Sequence, residues 1–245
     1  MMLPSQRFHT PGGVMKRSIG VIVALALSVC TAGCAASRAI TAQDVKIEFS
    51  SPAKRILLIG PDVELSELTA GGIEEVRADW TAAAADFIVK DISAHFAATG
   101  TELIAANKPS TPHEVQLVKL QGAIGSSILD HAYGNGMRLE SKKKRLDWTL
   151  GPGANEFRQR YGADYALFVA VHDSYTSTGR AALIATAALF GVPIRSGQQF
   201  GLASLVDLRT GNVIWFNQLS TRHGDLRTEA EAQRSVSELL KDIPL

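Results

Sequence analysis

Six consecutive apolar residues, Ala166-Leu167-Phe168-Val169-Ala170-Val171, set the strongest constraint on this chain. A strand whose two alternating faces are both apolar must be covered on both sides, so the run predicts the central strand of a sheet with layers above and below. Gln198-Gln199-Phe200-Gly201-Leu202 leads into a second apolar stretch, and Asp207-Leu208-Arg209-Thr210-Gly211-Asn212 supplies turn residues. Val213-Ile214-Trp215-Phe216 then reads as the return strand of a hairpin, ended by Asn217. The block from Tyr161 to Asn217 therefore forms the middle of the fold.

Upstream, Lys54-Arg55-Ile56-Leu57-Leu58-Ile59-Gly60-Pro61 is a short apolar run closed by Gly-Pro, which predicts a strand. Asp62 to Gly72 reads as a long loop with weak strand character around Val63 to Leu68. Trp80, Ala84, Phe87, Ile88, Ile92 and Phe96 recur at helical steps, with Gly100 at the C-cap position. Thr101 to Ala105 is a second strand, so the order is strand, helix, strand, and a parallel crossover is expected. A second helix is expected over Pro112 to Tyr133, weakened at Gly122 and Gly125, where a break or a close contact could fall. Ala154 to Tyr161 is a short helix, and Thr228-Glu229-Ala230-Glu231 has the capping-box pattern that opens a last one. The fold class is α/β or α+β: a mixed sheet flanked by helices in one domain, residues 52–245.

The start of the chain is of another kind. Met15-Lys16-Arg17 is a short basic region and a candidate start of translation, and Ile19 to Leu27 is almost wholly apolar. Small residues then lead to Cys34, so residues 1–33 read as a secretory signal peptide. Thr31-Ala32-Gly33-Cys34 resembles the cleavage site of bacterial lipoproteins, with small residues at the two positions before the cysteine. Thr31 stands where leucine is usual. The resemblance implies a diacylated Cys34, and Ala35 after it, rather than aspartate, implies the outer membrane. Residues 34–51 then read as the lipidated terminus and a tether. With Cys30 lost and Cys34 acylated, no thiol remains for a disulfide, a metal or a nucleophile. Removing Arg7, Lys16 and Arg17 from the 25 basic residues leaves 22 against 24 acidic ones, a balance with no pull toward nucleic acid.

Catalytic signatures are weak. His172 with Asp173, and His223 with Asp225, pair an imidazole with a carboxylate, but neighbours on a strand point to opposite faces. There is no H-E-x-x-H and no G-x-S-x-G. Gly151-Pro152-Gly153 lacks the Gly-Lys-Ser/Thr of a phosphate loop, and Gly134-x-Gly136 follows a helix rather than a strand. Lys142 to Arg145 is a basic run that reads first as a solvated loop. No catalytic residue, metal ligand or cofactor is expected. Ala181 to Ile194 is apolar almost throughout and too short to span a bilayer. It is either a helix packed on the sheet or an exposed patch for a partner or a membrane leaflet, through Leu183, Ile184, Leu189, Phe190, Val192 and Ile194.

Taken together, the lipidated cysteine, the strand KRILLIGP, a helix, and the late block YGADYALFVAVHDSY with LVDLRTGNVIWF resemble a known group. These are the small proteobacterial outer-membrane lipoproteins related to the curli-secretion channel subunit and to the lipoprotein activators of penicillin-binding proteins. The resemblance implies a mixed sheet flanked by helices and a non-enzymatic role in binding, assembling or activating envelope components. The expectation is thus a periplasm-facing, lipid-anchored outer-membrane protein whose partner is another envelope protein or further copies of itself. A secretion-channel subunit and a periplasmic hydrolase are the alternatives.

Overall fold

The structure, a computed structural model, describes residues 36–106, 108–134, 139–142, 145–221 and 225–245. Its centre is a single mixed sheet of eight strands. In chain order these are β1 (Ala36–Thr41), β2 (Arg55–Ile59), β3 (Asp62–Leu68), β4 (Glu74–Val76), β5 (Glu102–Ala106), β6 (Tyr165–Thr176), β7 (Gln199–Asp207) and β8 (Val213–Thr221). They lie in the order β1-β8-β7-β6-β2-β5, while β3 runs beside the far half of β6 with β4 outside it. β2, β3 and β5 are joined to the rest by parallel ladders, and β7, β8 and β1 by antiparallel ones.

β6 is the central strand that its apolar run predicts, and it extends five residues beyond Val171 to Thr176. Its alternation divides the protein into two cores. Tyr165, Leu167, Val169 and Val171 face α1 (Ala78–Ala98) and α5 (Glu229–Leu239). Ala166 and Phe168 face α2 (Pro112–Ile128) and α3 (Asn155–Tyr161). In α1 the stripe Ala84, Ile88, Ile92, Phe96 is at most 1% exposed. Each of its larger members contributes roughly 1.5–3 kcal/mol by leaving water. Layers on both faces are what a doubly apolar strand requires.

Three local expectations change. The segment from Asp62, expected as loop, is β3: Asp-Val-Glu-Leu-Ser-Glu-Leu alternates polar and apolar, and residues 62–68 pair in parallel with 170–176 of β6. Gly60-Pro61 ends β2 at Ile59 as expected, and the chain resumes as β3 along the far half of β6. The stretch expected as a tether supplies β1, with Ala36 opposite Ser220 and Thr41 opposite Trp215. An edge strand that lives on backbone pairing needs no apolar period, so the composition hid it. Residues beyond it are held too: Ser50 donates from its amide and its hydroxyl to Asp164 at 2.7 Å each, and Tyr165 Oη donates to Glu48 O at 2.8 Å.

The third concerns helix caps. Thr228 precedes α5 as expected but donates its hydroxyl to Asp225 O, so the capping box is not closed there. A closed box forms instead at α2, where Thr111 Oγ1 accepts from Glu114 N and the Glu114 carboxylate accepts from Thr111 N. Pro112 occupies the first turn, and one π-helical turn carries the helix on to Tyr133. Gly122 and Gly125 do not break it.

Candidate functional site

The apolar insert is a helix, α4 (Thr178–Leu189), rooted at the end of β6. Ser177 Oγ caps it by accepting from Arg180 N at 3.3 Å, and the turn ends at Phe190 and Gly191, whose φ is +69°. After Gly179 and Arg180 in the first turn, residues 181–189 are Ala, Leu, Ile and Thr, good or tolerable helix formers without a charge. Arg180 is the helix's one buried residue. Its Nε donates to Arg195 O at 2.9 Å, which ties the start of α4 to the returning chain. Every apolar residue of the helix lies outside the two cores. Leu183 is 43% exposed, Leu189 84%, Phe190 78% and Val192 53%, while Ile184 and Ile194 are half-buried. Of the two readings of Ala181–Ile194, a helix packed on the sheet and an exposed apolar element, the structure has the second.

Strand directions say where this element sits. β7 is antiparallel to β6, β8 to β7 and β1 to β8, so β1 runs opposite to β6. The row Ala36–Ser220–Phe200–His172–Glu64 crosses the sheet at one level. The first residue of β1 and the departure of α4 are therefore at the same end of the sheet. Cys34 itself lies outside the described residues.

The histidine–carboxylate pairs do not converge. His172 is exposed, with Nε2 3.7 Å from Asp62 Oδ2, while Asp173 is 3% exposed on the opposite face. His223 lies outside the described residues, and Asp225 is bound to Arg227 at 2.7 Å. Asp173 has its own structural task. Its Oδ2 accepts from Tyr175 Oη and from Gln199 Nε2 at 3.3 Å, and the Leu226 amide donates to Tyr175 Oη at 2.7 Å. The cluster clasps β6, β7 and the segment that leads into α5. The guanidinium of Arg227 stacks 4.0 Å from the Tyr175 ring centre and closes it from outside. Burial pushes the Asp173 carboxyl up to about 6, against the Tyr175 and Leu226 hydrogen bonds that favour its charged form. Burial and the neighbouring Asp173 charge also push the Tyr175 hydroxyl up, so it stays a donor. Asp-x-Tyr on a strand places both side chains on one face, a signal that the sequence does carry.

No group of three or more His, Cys, Asp or Glu residues among the described residues could hold a metal ion. Lys142 Nζ donates to Asp147 O and lies 5.1 Å from the Trp148 ring centre, so part of the basic run is used internally; Lys143 and Lys144 lie outside the described residues. Gly151-Pro152-Gly153 packs on the β7–β8 turn, with Leu150 N donating to Gly211 O at 2.8 Å. A Cβ on Gly211 would stand 2.1 Å from Gly151 O, and its φ of +78° also demands glycine.

No family model matches the chain, and no curated protein does. Among solved structures it is similar to the PelC dodecamer from Paraburkholderia phytofirmans, at 11% identity and a TM-score of 0.40, over 84% of this chain and 95% of that one. A substituted form of the same dodecamer matches at 11% identity and 0.39, over 84% and 96%. At such values the functional reading rests on the residues of this chain alone.

Proposed function

We propose that this chain is a non-enzymatic outer-membrane lipoprotein, anchored through Cys34 and facing the periplasm, that works by contacts made at the α4 end of its sheet. The observation that carries this is the shared end of β1 and α4. Only Ala35 stands between Cys34 and Ala36, and two residue steps reach at most about 7 Å. An acyl group on Cys34 thus attaches close to the level at which α4 leaves the sheet. A helix apolar on every side has no face to turn to water. Its 12 residues make a rod of about 18 Å, too short for a bilayer core of about 30 Å but a match for one leaflet. With the anchor and α4 in the leaflet, the rest of the sheet and its helices stand in the periplasm, free to bind or assemble other envelope components.

The oligomeric secretion-subunit reading draws on the same helix. Copies of α4 packed side by side would cover one another where lipid does not. A hydrolase is not favoured, because His172 and Asp173 lie on opposite faces of β6.

The test uses the full-length protein in cells and in vesicles. Cys34→Ala should release it from the membrane fraction; unchanged fractionation would remove the anchor. A fluorophore at position 190 should be quenched by brominated lipid and protected from aqueous iodide. A label quenched only from the water phase would refute leaflet insertion while leaving the anchor in place. Crosslinking in the membrane would then reveal whether the contacts are with copies of the chain or with another protein.

A further inference from the structure

A second site lies away from α4, between α2 and the sheet. There a cavity of about 120 Å³ is lined by Ile59, Val118, Phe168, Leu202 and Phe216, with the exposed Asp62 at its edge. It exists because α2 turns Gly122 and Gly125 toward it. A Cβ on Gly122 would meet nothing within 4 Å, and one on Gly125 would only touch Phe216 Cε2 at 3.8 Å and Leu202 Cδ1 at 3.9 Å. Gln121 and Ser204 also line this space, at 7% and 1% exposure. Gln121 Nε2 donates to Ser204 Oγ, and Gln121 Oε1 is buried without a hydrogen-bond partner. Buried acceptors are nearly always satisfied, so an orphan amide oxygen in a mainly apolar cavity calls for a donor. A hydroxyl can accept one bond and still donate, so Ser204 retains a proton to offer. The two groups together present one acceptor and one donor at the wall of a hydrocarbon-lined space.

We propose that this cavity binds a small apolar molecule bearing one hydroxyl, a single ring or a branched alkyl alcohol. The hydroxyl donates to Gln121 Oε1 and accepts from the Ser204 hydroxyl, while the carbon body fills the space over Gly122 and Gly125. Apolar cavities of about 150 Å³ take up one benzene ring, so this space of about 120 Å³ holds at most one ring, with any further atoms at the open edge beside Asp62. A water molecule could answer the polar pair but would leave the apolar walls uncovered, whereas an amphiphilic guest satisfies both surfaces. The site lies apart from α4 and stands or falls independently of the membrane reading.

The probes are p-cresol and toluene, which differ by the hydroxyl, titrated calorimetrically into the detergent-solubilised full-length protein. p-Cresol should bind at least about tenfold more tightly than toluene, because only it pairs the buried amide oxygen. Gln121→Met should level the two, and Gly125→Leu should remove binding of both. Equal affinity for the two probes in the wild type, no binding of p-cresol at millimolar concentration, or undiminished binding by a folded Gly125→Leu would each overturn the proposal. If Gly125→Leu does not fold, the wild-type comparison of the two probes decides by itself.

Discussion

Replacing Asp173 by Asn should remove a specific pH dependence of stability. In the folded protein the Asp173 carboxyl is raised from 3.8 to about 6, chiefly by burial. The charge of Asp225 adds to the rise, while the bonds from Tyr175 and Leu226 and the charge of Arg227 oppose it. A carboxyl that holds its proton more tightly when folded favours the folded state at low pH. That advantage is lost as pH climbs from about 4 to about 6, and above that range the charged group is a constant burden. The rise from 3.8 to about 6 corresponds to about 3 kcal/mol over the whole titration, most of it between pH 4 and 6.5. Asn carries no charge, and its carbonyl oxygen can still accept from Tyr175. Urea unfolding of the wild type and Asp173→Asn between pH 4 and 7.5, followed by circular dichroism, measures the effect. The wild-type stability minus that of the variant should fall by about 2 kcal/mol between pH 4 and 6.5 and level by pH 7.5. Glu114, Asp164 and Asp225 have carboxyls held below their ordinary range, so they lose stability in the opposite direction, as pH falls. They are present in both proteins and cancel in the difference. A difference that stays flat, or rises with pH, would refute the reasoning.

Two further perturbations test the frame around the sites. Thr111→Ala removes the closed cap of α2 and should cost about 1 kcal/mol in urea unfolding, with helix content otherwise kept; an unchanged midpoint would show that the Glu114 carboxylate, which accepts from the Ser110 amide and hydroxyl and from the Thr111 amide, holds the helix start alone. Gly211→Ala forces a side chain into a left-handed turn and against Gly151 O, and should destabilise by about 2–4 kcal/mol. Thermal melting reads the loss, and a variant as stable as the wild type would mean that the two turns part without cost.

The core was legible wherever burial writes a period. Ala166 to Val171 is apolar at every position because both faces of β6 are covered, and Ala84, Ile88, Ile92 and Phe96 repeat at helical steps because one face of α1 is. β1 carries no such mark, since Ser37, Arg38 and Thr41 join the sheet through backbone bonds that any residue can make. Gln121 was hidden for a different reason. It stands on the stripe Leu117, Gln121, Ile124, Ile128, where a lone polar residue reads as an interruption until the orphaned oxygen and the cavity beside it are seen.

By itself, then, the sequence determined the layered α/β architecture, the hairpin after the central strand and the apolar character of Ala181 to Ile194, because each depends on local pattern and turn chemistry. Only the tertiary structure decided that α4 stands outside both cores, that β1 begins at the end from which α4 departs, and that Gln121 meets Ser204 across the gap between helix and sheet. Those facts depend on strand order and on which surfaces are left uncovered once the layers close. A single chain of letters carries the propensity of each segment but not the direction in which its neighbours run.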